Sequence, residues 1–239
     1  RRPPRSQLFP YTTLFRSSYS GECDCYNREH SFPASWFSDA SPMYTDLFHL
    51  VPTDGWVNNK RGSLAFGETN SPTYTSGNGS KVGPCSYPGY TGTVFEPIDE
   101  YKGDFARGYL YMAVRYMDVF SSFSSPMLNG SDYSTWAINL LLDWHAQDPV
   151  SQKEINRNNA IYNIQGNRNP FIDHPEYAEC VWHGVCQNAP TISSVQFTPS
   201  SPSASDAVVV SAIITDNGTI QSARSEEHTS ELQSRQTIS

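Results

Sequence analysis

YNREHSFPASWF at residues 26–37, closing on TDLFHLVPTDGWVNNKRGSLAFGE at residues 45–68, is the stretch on which the fold turns. Tyr26 to His30 runs into a proline at 33 and reads as a short strand. Leu47 to Val51 reads as a second strand, and Pro52-Thr53-Asp54 as a stop followed by a helix N-cap. A two-turn helix from Gly55 to Arg61 should then carry Asn58 inward. The chemistry-bearing residues sit at the ends of these elements. Glu29 offers a hard carboxylate oxygen to a divalent cation, Asn58 a neutral carbonyl oxygen, and His30 an imidazole, the side-chain type suited to proton transfer. Together they form a set able to activate water beside a phosphate, held on rigid strands and a helix meeting at one point.

The same residues resemble the bacterial endonuclease I family, secreted or periplasmic nucleases built on a ββα-metal, or His-Me, finger. The resemblance continues through Glu96-Pro97, KGDFARGYLYMAVRY at 102–116, LLDWHAQDPVSQKEINRNNAIYNIQGNRNPFIDHPE at 141–176 and Cys180-Val181-Trp182, so it spans roughly residues 22–187. It implies an α+β fold, with the finger embedded in a mostly helical domain. It further implies that His30 is the general base and that Glu29 with Asn58 holds one Mg²⁺, for which Mn²⁺ or Ca²⁺ would substitute. The activity implied is sequence-non-specific cleavage of DNA, and often RNA, to 5′-phosphate ends. A site that grips phosphates and reads no base edge meets the same ligand at every step. Better-known members carry a phosphate-stabilising arginine between the base and the second strand, whereas residues 31–45 here contain no Arg or Lys. Arg61 or Arg107 is the candidate to replace it, and Arg28 reads either as a further phosphate contact or as a solvated neighbour of the site. His49 on the second strand reads as a structural histidine, and His145, Asp173 and His174 as braces of the finger.

Residues 1–17 and 224–239 continue no pattern of the body. Leu14–Ser17 and Arg224–Glu227 can be encoded by reverse-complementary codons, and LFPYTTLFRS and RSEEHTSELQS resemble translated sequencing-library adapters. The native insert is expected over residues 18–223, truncated at both ends, with the nuclease-like domain at 18–187. A linker and a broken immunoglobulin-like fragment, strands TISSVQFT and AVVVSAIITDNG, follow at 188–223.

The whole chain carries 16 Lys+Arg against 24 Asp+Glu. Setting aside Arg1, Arg2, Arg5, Arg16, Arg224 and Arg235 leaves 10 cations; setting aside Glu226, Glu227 and Glu231 leaves 21 anions, a net of −11. Nucleic-acid binding normally rests on cations that displace phosphate counterions. A nuclease reading therefore requires a local basic cleft on an acidic body, with salt-sensitive binding. No apolar run reaches the roughly 18 residues of a membrane helix. The cysteines Cys23, Cys25, Cys85, Cys180 and Cys186 suit an oxidising compartment, with Cys180–Cys186 the first choice for a bridge and a zinc cluster the weaker one. A secreted monomer acting on DNA, with RNA as alternative substrate and a decayed surface-binding protein as the non-enzymatic rival, is the resulting expectation.

Further along, Thr69–Gly92 shows no core pattern and reads as an exposed excursion. Phe105, Tyr109, Met112, Tyr116 and Phe120 recur at helical spacing, Ser134–Ala146 reads as a buried helix, and Ser151-Gln-Lys-Glu154 as a capping box opening a helix that stops at Gly166.

Overall fold

The computed structural model describes residues 19–184, 191–203 and 207–215, so the adapter-like ends and Cys186 lie outside the described residues. The chain divides into one unit up to Trp182 and a second from His183. The first mixes helices with small sheets, as an α+β fold should.

Two strands, β1 (Tyr26–His30) and β2 (Leu50–Asp54), pair antiparallel with Tyr26 opposite Asp54 and His30 opposite Leu50. The second strand thus lies three residues beyond the expected Leu47–Val51. Asp46 turns the chain just before it by accepting the Phe48 N–H at 2.9 Å, and Gln165 accepts the Leu47 N–H at 3.1 Å. Pro52 does not stop the strand. It sits opposite Arg28 in a two-stranded ribbon, where a missing N–H is tolerated. Helix α1 (Gly55–Arg61) follows directly, because the Asp54 carboxylate accepts the N–H groups of Trp56 and Val57 at 2.9 and 3.0 Å. Gly55 is required where α1 meets the ribbon: a Cβ there would stand 2.7 Å from the Cys25 sulfur.

The expected excursion at 69–92 is corrected. Strands β3 (Ala65–Phe66), β4 (Tyr74–Thr75), β5 (Lys81–Pro84) and β6 (Thr93–Glu96) form one sheet in the order β3-β6-β5-β4, with β3 parallel to β6. Its polar composition misled because the segment is anchored by a buried carboxylate. Glu96 accepts the Thr69 N–H at 3.0 Å and pairs with Lys102 at 3.0 Å and Lys81 at 3.3 Å.

Helix α2 (Lys102–Arg115) breaks at Tyr116 before the short α3 (Met117–Phe120); a β7–β8 hairpin (Leu128–Asn129, Asp132–Tyr133) leads to α4 (Thr135–Gln147). Helix α5 (Gln152–Gln165) opens on the expected capping box and ends at Gly166, whose φ of 79° suits a residue without Cβ. The short α6 (Pro170–Asp173) and α7 (Tyr177–His183) complete this part. Helices α2 and α4 pack against each other, and the core between the ribbon and α2 is aromatic. The Phe32 and Phe66 rings each lie 5.2 Å from that of Tyr109, and Trp144 is fully buried. Cys180 is disulfide-bonded, which sets aside a zinc role for it, while Cys23, Cys25 and Cys85 are free thiols.

In the second unit, β9 (Thr191–Thr198) and β10 (Val209–Thr215) pair antiparallel with a register shift between Ser211 and Ile213. Ile192, Val195, Phe197, Val209, Val210 and Ile213 are exposed on this pair.

Candidate active site

Glu29 and His30 end β1 and, as consecutive strand residues, leave it on opposite sides. The Glu29 carboxylate turns to α1, where Arg61 pairs with its Oε1. Its Oε2 carries no hydrogen bond among the described residues. Burial pushes the Glu29 carboxyl above its usual range, opposed by the Arg61 charge and hydrogen bond. Asn58 precedes Arg61 by three positions on α1, so the two share the helix face that meets β1. The Asn58 amide has no side-chain hydrogen bond among the described residues.

The His30 ring turns the other way, onto the short turn Met43–Thr45. Its Nε2–H donates to the Tyr44 carbonyl at 2.9 Å, and it packs 4.7 Å from the Tyr44 ring and 5.4 Å from that of His49. A carbonyl can only accept, so in the neutral ring the proton is on Nε2 and Nδ1 keeps its lone pair. No hydrogen bond or ion pair among the described residues joins the His30 ring to Glu29 or Asn58. Glu29 is thus tied to α1 through Arg61, and Asn58 stands on that helix, while His30 leaves the opposite side of the strand.

His49 is fully buried, as a structural histidine should be. Its Nε2–H donates to the Met43 carbonyl at 2.7 Å, next to the carbonyl that His30 uses, and its Nδ1 meets no hydrogen-bond geometry among the described residues. Burial drives its pKa down to about 4, and the nearby His30 adds to this, while the Met43 hydrogen bond and Asp46 oppose it. It is neutral at pH 7 and puts no charge beside His30.

Two of the three expected phosphate-contacting arginines are corrected by burial. Arg61, 3% exposed, donates to Glu29, to the His30 carbonyl at 2.9 Å, to the Ser31 carbonyl at 2.6 Å and to the Tyr109 hydroxyl at 3.1 Å. Arg107, wholly buried, grips both oxygens of Glu154 at 2.5 and 2.8 Å and the Asp148 carbonyl at 2.8 Å. Both turn their charge inside the protein, the Arg61 Nε–H alone lacking a partner among the described residues. Arg28 differs: it is exposed, makes no ion pair among the described residues, and lies 5.6 Å above the Tyr44 ring.

The three residues expected to brace the finger bond within the helical part, and none of their hydrogen bonds reaches β1, β2 or α1 among the described residues. His145 donates from Nε2 to the Pro175 carbonyl at 2.9 Å, and Asp173 accepts from Asn158 at 3.0 Å and from Arg168 at 2.7 Å. His174 lies at the surface against Glu176 and Tyr177. The sequence reading missed Arg157, which donates to the carbonyls of Leu47 and, at 2.6 Å, Leu50, clamping the entry to β2 from α5. It also missed Tyr44, which orients His30. No spacing rule reveals a backbone carbonyl as a partner.

The donor set fits a hard divalent ion. One carboxylate oxygen and one amide oxygen are uncommitted on adjacent elements, the small protein contribution that Mg²⁺ with its retained waters accepts. Among the described residues no group of three or more His, Cys, Asp or Glu assembles a metal cluster.

Comparison with known proteins places this arrangement. The family model for Endonuclease I matches residues 4–176. The extracellular ribonuclease of Bacillus amyloliquefaciens is 39% identical over 188 residues, covering 75% of this chain and 62% of the relative. That of Bacillus subtilis (strain 168) is 38% identical over 190 residues, covering 76% and 63%. An extracellular deoxyribonuclease of Aeromonas hydrophila is 29% identical over 133 residues, covering 55% and 50%. The chain thus spans between half and just under two thirds of these relatives' length. With the match running from ahead of β1 through the β1–β2 ribbon, α1, α2 and the later helices to Glu176, the chain belongs to the Endonuclease I family.

Proposed function

We propose that this chain hydrolyses phosphodiester bonds of nucleic acid without sequence preference, with β1, β2 and α1 acting as a ββα-metal finger. The observation that carries the reading is the His30 tautomer: Nε2–H is committed to the Tyr44 carbonyl, which leaves Nδ1 to take a proton from water. Glu29 and Asn58 would hold one Mg²⁺, which supplies Lewis-acid stabilisation of the charge growing on the phosphate and the departing oxygen. In-line displacement puts the attacking water and the leaving oxygen on opposite sides of phosphorus. A base on one side of β1 and the metal-binding oxygens on the other suit that demand, and contact between them is not needed. Arg61 opposes the effect of burial on the Glu29 carboxyl and ties it to the backbone of His30 and Ser31.

A second reading, RNA as the preferred substrate, is favoured by the higher identity to the two ribonucleases, 39% and 38%, than to the deoxyribonuclease, 29%. Extracellular action of a monomer is the corresponding proposal for its setting, since relatives are named extracellular or periplasmic. No helix of the described residues is long and apolar enough to cross a membrane. We assign the β9–β10 pair to an immunoglobulin-like unit on its two strands.

Digestion of supercoiled plasmid and of single-stranded RNA, each with Mg²⁺ and with EDTA, tests the reading. Chelator-sensitive cleavage to 5′-phosphate ends, lost in Glu29→Gln, is expected. Cleavage that persists in EDTA, or none at all, overturns it; cleavage of RNA alone selects the second reading.

A further inference from the structure

An acidic chain that binds polyanions must do so through cations its own carboxylates leave free, and the structure sorts them. Of the ten Lys and Arg between residues 18 and 223, six are paired with acids: Arg61 with Glu29, Lys81 and Lys102 with Glu96, Arg107 with Glu154, Lys153 with Asp104 and Arg168 with Asp173. Arg157 is half-buried on two carbonyls of the chain leading into β2. Arg115, in the last turn of α2, is exposed, has no acidic partner among the described residues and lies 5.5 Å from the Tyr116 ring, but it stands off the β1–β2–α1 unit. Arg28 and Lys60 are the other two. Both are exposed, neither has an acidic partner among the described residues, and both stand on the β1–β2–α1 unit that carries Glu29, His30 and Asn58.

Their settings are alike. The Arg28 guanidinium lies 5.6 Å from the centre of the Tyr44 ring, the same ring that packs 4.7 Å from His30. The Lys60 ammonium lies 4.8 Å from the Trp56 ring and 5.7 Å from the Tyr74 ring. Glu22 lies on the Tyr74 side of this group, but its oxygens accept the Tyr74 hydroxyl at 2.5 Å and the Gly77 N–H at 2.7 Å. A cation held over an aromatic face keeps its charge open to solvent, and the ring restricts its position without neutralising it. An ion pair would cancel the charge.

We propose that Arg28 and Lys60 form a two-point clamp for the phosphodiester backbone of one polynucleotide strand, one point on the His30 side of β1 and one on α1 over Trp56 and Tyr74. This rests on the nuclease reading for the identity of the ligand. The chemistry recognised is the phosphate, common to DNA and RNA, and the supporting rings give neighbouring bases a stacking face that any base can use. The acidic remainder of the surface confines strong contact to the strand being cut.

The test is equilibrium binding of fluorescein-labelled single-stranded DNA and RNA oligonucleotides to the full chain, by anisotropy in EDTA across a NaCl series. The proteins compared are the wild type, Arg28→Ala, Lys60→Ala, the double variant and Lys153→Ala, an exposed lysine already paired with Asp104. Each of the first two substitutions should reduce the slope of log affinity against log salt by about 0.7, the share of one phosphate contact on a single strand. The double variant should lose both shares, and Lys153→Ala neither. Unchanged slopes in Arg28→Ala and Lys60→Ala, equal loss in Lys153→Ala, or no wild-type binding would overturn the clamp. A wild type that binds with these slopes but cleaves nothing with Mg²⁺ supports the clamp and refutes the nuclease reading. A wild type that cleaves with slopes indifferent to both substitutions does the reverse.

Discussion

Replacing Arg61 with Met should do damage out of proportion to one side chain. Arg61 is almost fully buried and joins four groups: the Glu29 carboxylate, the carbonyls of His30 and Ser31, and the Tyr109 hydroxyl. Methionine matches the stem and removes every donor. Breaking a buried pair by deleting one partner costs about 3–5 kcal/mol, because the other charge stays behind unpaired. The partner here, Glu29, is 14% exposed at its side chain, so water rescues little of it. Glu29→Gln keeps shape and an acceptor, and in the Arg61→Met background it removes the stranded charge. The double variant should therefore be more stable than Arg61→Met alone, with a coupling of at least about 1 kcal/mol. The pH dependence has a definite sign. Burial already raises the Glu29 pKa, and without Arg61 the folded state holds that proton still more firmly than the unfolded chain. Stability of Arg61→Met should then fall as pH rises above the unfolded carboxylate range. Urea unfolding of the four proteins, followed by tryptophan fluorescence at pH 5 and pH 8, measures all of this. A cost below about 1 kcal/mol with no coupling would show that the pair does not organise the site.

His49 gives a second pH test. With its pKa lowered to about 4 from an ordinary 6.5, the unfolded chain takes the proton first. Stability should thus drop as pH falls from 6.5 to 4, by about 3 kcal/mol from this residue. The pH dependence of His49→Asn should lack that component, and an unchanged profile would refute it. Arg157→Met removes two charge-assisted bonds to the Leu47 and Leu50 carbonyls and should cost about 2 kcal/mol. Amide exchange in β2 should quicken beyond that in α4; uniform quickening would contradict a local clamp. Asp54→Ala removes the cap of α1 and should cost about 1 kcal/mol in the same urea assay.

What was legible in the sequence follows physical lines. The Asp54 and Ser151 caps, the α1 bounds and the Gly166 stop are local: each depends on a side chain bonding backbone within a few residues, so the sequence states it. The start of β2 was misplaced because Leu47 is drawn into the entry turn by Arg157 and Gln165, more than a hundred residues away. The sheet through β4 and β5 was missed because its polar residues are organised around Glu96, a buried acid that composition scores as loop. At the site, the residue types of Glu29, His30 and Asn58 were readable, whereas the uses of Arg61 and Arg107 were not. An arginine facing phosphate and an arginine locked to a buried glutamate look alike until its neighbours are known.

The central claim is that His30 removes the proton from the attacking water, and the measurement that bears on it most directly is single-turnover cleavage by His30→Ala with and without added imidazole. The account predicts a rate lower by about 10²–10⁴, the usual share of general base catalysis, and partial recovery as imidazole supplies the missing lone pair. A His30→Ala protein that cleaves at the wild-type rate, with metal present and imidazole absent, would contradict it.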